Sequence, residues 1–168
     1  MSWQEKVEKK QTTLAALIPE QWRIPSSQLP PDSERSVISY IEDNNLLTDE
    51  ELTITKLTVP DLVKKISSGE LTAVQVCQAY CHRAALAHQL VNCLIEIAFE
   101  SALKQAKELD EYFQTNGRTV GLLHGVPVSL KDSFRVKGLE SCISYSAWLG
   151  TIDEDESILT ECLRKAGR

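Results

Sequence analysis

Gly121-Leu122-Leu123-His124-Gly125-Val126-Pro127-Val128-Ser129-Leu130-Lys131-Asp132 is the stretch of this 168-residue chain on which the reading of the rest depends. Pro127 biases Val126 toward extended backbone, and the flanking glycines leave the approach free to adopt unusual angles. Val126, Val128 and Leu130 then face one way, and Pro127, Ser129 and Lys131 the other. The pattern predicts a short buried strand, 126–130, central and parallel, with a lysine at its end. Ligands and chemistry gather where the strands of an open α/β sheet end, so Lys131 is a candidate for chemistry and not only for solubility.

The same residues resemble the Gly-x-Leu-His-Gly-x-Pro-hydrophobic-Lys-Asp motif of the amidase signature family. The similarity extends from Ser2-Trp3-Gln4-Glu5 to Leu163-Arg164-Lys165-Ala166-Gly167 and points to its fungal acetamidase or general amidase branch. The resemblance implies an α/β fold, a mixed β-sheet core surrounded by helices, present here as its N-terminal portion and truncated. Residues 1–35 would form an amphipathic helix and an extended Pro-containing segment, and residues 36–168 the first part of the amidase domain. It further implies that Lys131 is the lysine of a serine–cis-serine–lysine triad, which hydrolyses small carboxamides to carboxylate and ammonia through an acyl-enzyme. No metal or organic cofactor is implied.

In the family, the glycine- and serine-rich segment bearing both triad serines follows the lysine, and no such segment occurs up to Arg168. The chain is therefore expected to hold the lysine alone and to be inactive by itself. Competing readings are a non-catalytic truncated product that acts through partner binding, and a degenerate product. An unfinished sheet leaves an unpaired edge and apolar surface, through which self-association is expected.

A chain of this length can bury about 70% of its unfolded surface in one domain. Hydrophobic content of 42% and charged content of 25% are ordinary for a soluble globular protein. The net charge of −6, without a basic stripe, argues against nucleic-acid binding. No segment approaches the ~18 apolar residues of a membrane span, and residues 1–11 lack the apolar core of a secretory signal. A cytoplasmic protein without a membrane or nucleic-acid partner is expected. The five cysteines, 77, 81, 93, 142 and 162, form no disulfide framework. Cys77, Cys81 and His82 invite a zinc reading but lack a second ligand pair, so buried thiols in a reducing compartment are the plainer account.

Trp3, Val7, Leu14, Leu17 and Ile18 recur at near-helical spacing among charged residues and predict an amphipathic helix. Pro19, Pro25, Pro30 and Pro31 break regular structure over 19–35. Thr48 before Asp49-Glu50-Glu51 predicts a capped helix start; the carboxylates suit the backbone dipole and need no metal. Thr58-Val59-Pro60-Asp61 opens a helix to about Ser67. Thr72 caps a longer one over 73–87. Residues 91–98 read as a strand from their β-branched content. Ser101 caps a helix to Phe113, ended by Asn116-Gly117. A last helix covers 158–163, with Arg164 and Lys165 in its final turn and Gly167 as a stop. In the family this helix feeds the next buried strand, which Arg168 begins poorly.

Amide hydrolysis needs an activated nucleophile and a protonated leaving nitrogen. A lysine of ordinary pKa, near 10.4, is protonated and cannot act as a base, and burial disfavours that charge. His124 precedes the strand and is read as structural, Ser129 as a packing residue, and Asp132 as a strand-end or turn residue that positions the following loop. Relatives often carry small residues and a glycine in that loop, where this chain has Ser141-Cys142-Ile143-Ser144. Losing a glycine there removes easy access to positive φ. Glu156 stands where relatives tend to have Asp before the last helix, a change expected to weaken a cap.

Overall fold

The computed structural model describes residues 1–31, 33–34 and 36–167; Asp32 and Arg35, within the proline-rich connection, and Arg168 lie outside the described residues. Seven helices are present among them: α1 (Trp3–Ala16), α2 (Val37–Asp43), α3 (Asp49–Thr55), α4 (Val59–Ser67), α5 (Ala73–Val91), α6 (Phe99–Asn116) and α7 (Ile158–Lys165). No described residue lies in a strand. The one β-type contact is an isolated antiparallel bridge between Glu140 and Ile152. The expected mixed β-sheet core is therefore corrected to a helical assembly.

The helix starts follow local chemistry. Ser2 with Glu5, Thr48 with Glu51 and Thr72 with Gln75 form reciprocal caps, each satisfying two backbone N–H groups that the helix leaves open. Thr58 caps α4, with Pro60 in its first turn. Ala98 precedes α6 without a side-chain cap; Ser101 lies inside the helix and donates to the Ala98 carbonyl. The N-terminus of α5 gains a second acceptor from α6, since Asp110 accepts from the Ala73 and Val74 N–H groups at 2.7 and 3.0 Å.

α5 is the hub. One of its faces packs Ala73, Cys77, Cys81 and Ala85 against Leu14, Ile18 and Trp22 from the N-terminal region and Ile97 and Ala106 on the other side. A second face sets Val76 and Ala79 against Ile54, Leu62, Ile66 and Val126. Leu86 joins Ile41 and Leu47 in a third cluster. On α1 the buried line runs through Leu14 and Ile18, whereas Trp3 is 61% exposed and Leu17 47% exposed. Trp3 lies eleven residues before Leu14 and so on nearly the same face, but at the N-terminal end of α1, while Leu17 is the cap that follows its last residue. Short 3-10 turns at Glu20–Trp22 and Ser26–Gln28 carry the proline-rich connection.

Both predicted strands are corrected. Val91 closes α5, and Asn92 adopts φ 49° and ψ 49° as its left-handed cap. The chain then turns back, and the Leu94 N–H donates to His88 Nδ1 at 3.1 Å. Residues 126–130 carry no regular element. Their period-two pattern survives in part, with Val126 buried, Pro127, Val128 and Leu130 half-buried, and Ser129 and Lys131 exposed. A strand is a property of paired backbones, and no described segment lies alongside these residues to pair with them. No helix among the described residues is long and apolar enough to cross a membrane.

Candidate functional site

The motif docks on α7 through its backbone. The Leu123 N–H donates to the Ala166 carbonyl at 2.8 Å and the Gly125 N–H to the Gly167 carbonyl at 3.3 Å. A Cβ on Gly121 would lie 2.5 Å from the Ala166 carbonyl oxygen, so only glycine permits this approach. Gly125 sits at φ +73°, with a built Cβ 2.8 Å from Ala73 Cβ. The two motif glycines therefore press the turn onto α7 and onto the start of α5.

His124, at the centre of that turn, is 2% exposed. Its Nδ1 accepts the Val120 N–H at 3.1 Å, which requires the proton of the neutral ring to sit on Nε2. Nε2 is buried without a hydrogen-bond partner. Burial holds its pKa below the ordinary histidine value, partly offset by the Asp110 charge. A buried ring with its acceptor nitrogen committed to local backbone shapes the turn.

Lys131 is exposed and opens the next turn, its carbonyl accepting the Phe134 N–H at 2.9 Å. Asp132, beside it, folds the following loop. Its Oδ1 accepts from the Cys142 N–H at 3.0 Å and its Oδ2 from the Ile143 N–H at 2.6 Å. Two successive amides aimed at one carboxylate make a small anion nest, filled here by the protein's own side chain. Just past it, Ile143 and Ser144 adopt φ 48° and 65°. The loop reaches positive φ without a glycine, and the β-branched Ile143 does so at a real steric cost.

This loop and the segment after Lys131 enclose a cleft of about 570 Å³. Its lining takes Ser133 and Arg135 from the segment after Lys131, and Ile143, Trp148, Thr151 and Asp153 from the loop and its exit. Asp153 Oδ2 is buried there without a hydrogen-bond partner. The Arg135 carbonyl accepts from the Ser157 N–H and the Thr160 hydroxyl, each at 3.0 Å, which ties the cleft to the start of α7. Ser157 caps α7, and Glu156 instead receives the Arg164 Nε–H at 2.7 Å. The Glu at 156 therefore does not bear on that cap.

Of the residues singled out in the sequence, Asp132 holds the cleft loop, while its neighbour Lys131 is exposed and is not among the residues that line the cleft. His124 belongs to the buried turn, and Ser129 is exposed. Cys77 and Cys81 lie in the apolar cluster with their sulfurs 3.8 Å apart. His82 is directed elsewhere, 2.9 Å from Glu51 and stacked on Trp22 at 5.2 Å between ring centroids. No group of three His, Cys, Asp or Glu side chains able to hold a metal occurs among the described residues. Arg135, Glu140, Trp148 and Asp153 were not singled out from the sequence. Isolated charged and aromatic residues in a loop give no periodic signal.

The family model described as Amidase matches residues 75–168, which include the whole motif and the residues that line the cleft. An acetamidase of Emericella nidulans is 48% identical over 166 residues, and one of Aspergillus oryzae 46%. Each alignment covers 99% of this chain and 30% of the relative. A solved structure of fatty acid amide hydrolase superposes with a TM-score of 0.89 at 40% identity, again over 99% of this chain and 30% of that one. This chain thus spans about 30% of the length of the relatives it matches. With the family match covering more than half of its residues, and both sequence and backbone following these enzymes over nearly all of this chain, the chain belongs to the amidase family.

Proposed function

We propose that these residues supply the lysine base of an acetamidase-like hydrolase of small carboxamides, with Lys131 as the third member of a serine–cis-serine–lysine triad. The two serines belong to sequence beyond residues 1–168, in keeping with the 30% share of the relatives that this chain spans. In this reading the nucleophilic serine attacks the amide carbonyl. Its proton passes through the bridging serine to a neutral Lys131. The tetrahedral intermediate expels the amine as the lysine returns that proton to nitrogen. Water then hydrolyses the acyl-enzyme to carboxylate by the same relay. A lysine serves as base only when its ammonium is desolvated, so the exposed Lys131 requires cover from further structure.

What supports the reading most directly is the position of Lys131. It ends the motif that pins the turn to α7, and the adjacent Asp132 organises the wall of the cleft.

The test joins residues 1–168 to the remaining part of a curated acetamidase and follows ammonia release from acetamide. Loss of a general base typically costs about 10²–10⁴-fold, so Lys131→Ala and Lys131→Arg should each lower kcat by at least about a hundredfold. Residual activity within a few-fold of the parent in both variants refutes the assignment. Residues 1–168 alone should release no ammonia above buffer. Release that Lys131→Ala abolishes would show that serines within these residues suffice.

A further inference from the structure

α1 meets the cleft loop through two lysines. Lys6 Nζ donates to the carbonyls of Ala147 and Leu149 at 3.3 and 3.4 Å. Lys10 pairs with Glu96, the residue before Ile97 of the main apolar cluster, and lies 3.4 Å from Glu140 Oε2. All three side chains of the Lys10 group are shielded, at 15%, 23% and 16% exposure. Glu140 Oε2 also accepts the Gly150 N–H at 3.1 Å and faces the Cys142 thiol at 3.7 Å. Lys10 falls on the helical line between Val7 and Leu14, where an apolar residue would extend the buried face of α1. Burial disfavours its ammonium, yet the Glu96 and Glu140 carboxylates hold its pKa above the ordinary lysine value.

We propose that Lys10 and Lys6 are positioning residues, a brace by which α1 holds the loop of residues 139–152 in its cleft-forming conformation, making the N-terminal helix part of the substrate site. Asp132 grips one end of this loop at Cys142 and Ile143. The brace grips its middle, at Glu140, Ala147 and Leu149. Trp148, between the last two, lines the cleft. The assignment of the cleft to substrate rests on the amidase reading above; the brace does not.

Cys142 makes the brace measurable. It is 3% exposed within the loop, while Cys77 and Cys81, 6% and 8% exposed, belong to the apolar cluster on α5. Burial and the nearby carboxylates push the Cys142 thiol up to about 11, so release of the loop both uncovers and activates it. Residues 1–168 are treated with a maleimide at pH 7.5 and modification is followed site by site by mass spectrometry. Lys10→Met should accelerate labelling of Cys142 by about tenfold or more, because protection reports local opening, with Cys77 and Cys81 still protected. Lys10→Arg should restore protection, and Lys6→Met should give a smaller acceleration. In the joined enzyme, Lys10→Met should raise KM for the amide several-fold and leave kcat within about twofold, the pattern of lost uniform substrate binding. Unchanged Cys142 labelling in Lys10→Met overturns the proposal. So does equal acceleration of all three thiols in both Lys10→Met and Lys6→Met, which would show that these contacts support the whole fold. If the joined enzyme shows no Lys131-dependent hydrolysis, the amidase assignment fails and the thiol measurement still decides the brace.

Discussion

Around α5, apolar side chains and helix caps dominate; past Gly117, backbone is held mostly by single polar groups reaching across the chain. In the first region Leu62, Val76 and Ala79 lose nearly all contact with water, and Thr48, Thr58 and Thr72 satisfy the helix ends next to them. In the second, Asp132 gathers amides ten and eleven residues away. Lys10 reaches Glu140, and a glycine backbone lies against α7. Apolar packing is non-directional and tolerates small shifts. Hydrogen bonds and ion pairs specify atoms and angles. A scaffold suits the first kind of force, and a loop that must present groups to a ligand suits the second.

Deep truncation of the helical region should have the largest effect. Leu62, 1% exposed, lies in the cluster that joins α3, α4 and α5 to Val126. Leu62→Ala is expected to cost about 2–5 kcal/mol, read as a lower urea midpoint with unchanged slope. A loss below about 1 kcal/mol would mean that this region collapses around cavities and is not rigidly packed.

In the second region, Gly121→Ala places a methyl carbon against the Ala166 carbonyl. It should cost about 1–3 kcal/mol, the range for overpacking a close contact. Asp132→Ala should follow at about 1.5 kcal/mol, the low end for hydrogen bonds to a charged group. Its effect should be local, with hydrogen exchange rising at Cys142 and Ile143 and staying slow in α5. Fast exchange throughout α5 would erase the distinction between the two regions.

Acidification probes both regions through buried histidines. Burial lowers the pKa of His88 and His124 below the ordinary 6.5, and the Nδ1 of each accepts a backbone N–H that a proton would displace. As pH falls past 6.5 the unfolded chain binds protons that the folded chain refuses. Stability is therefore full above that value and declines below it, down through the lowered folded pKa. Glu51 acts in a separate window. Burial raises its carboxyl, but the Thr48 N–H and His82 pull it further down, so its contribution is present above the ordinary 4.5 and lost as pH falls through the lowered value. Melting temperature should already decline between pH 6.5 and 5, and His124→Gln should flatten that decline. A flat profile in the unsubstituted chain would contradict the burial of both rings.

The smallest expected effect has the opposite sign. Ser144 sits at φ 65°. Left-handed backbone costs an L-residue about 1–2 kcal/mol, and glycine gives back roughly 0.5–1 kcal/mol in lost chain entropy. Ser144→Gly should therefore stabilise by about 0.5–1 kcal/mol, seen as a slightly higher melting temperature. Destabilisation would mean that the Ser144 side chain contributes more than the backbone strain costs.

Local chemistry made much of the helical region readable in advance. Thr48, Thr58 and Thr72 mark their helices because a cap acts within three residues of itself, and Gly117 marks the end of α6 for the same reason. The two strands were misread because β-branched content and period two describe a segment, whereas a strand also needs a neighbour. Asn92 took a helix cap and residues 126–130 found no pairing partner among the described residues. Trp3 and Leu17 are exposed because helical spacing alone does not say how far along an apolar line the rest of the protein reaches.

By itself the sequence determined the capped starts of α3, α4 and α5, the family to which the motif belongs, and Lys131 as the residue to test. Each of these is written in residues that act within a turn or two of one another. Only the tertiary structure decided that residues 126–130 stay unpaired, that His124 is sealed into a turn against α7, and that Lys10 meets Glu140 across 130 positions. Such contacts depend on how distant segments are brought together, and that is settled by the burial of apolar faces and the exclusion of clashing backbone, not by spacing along the chain.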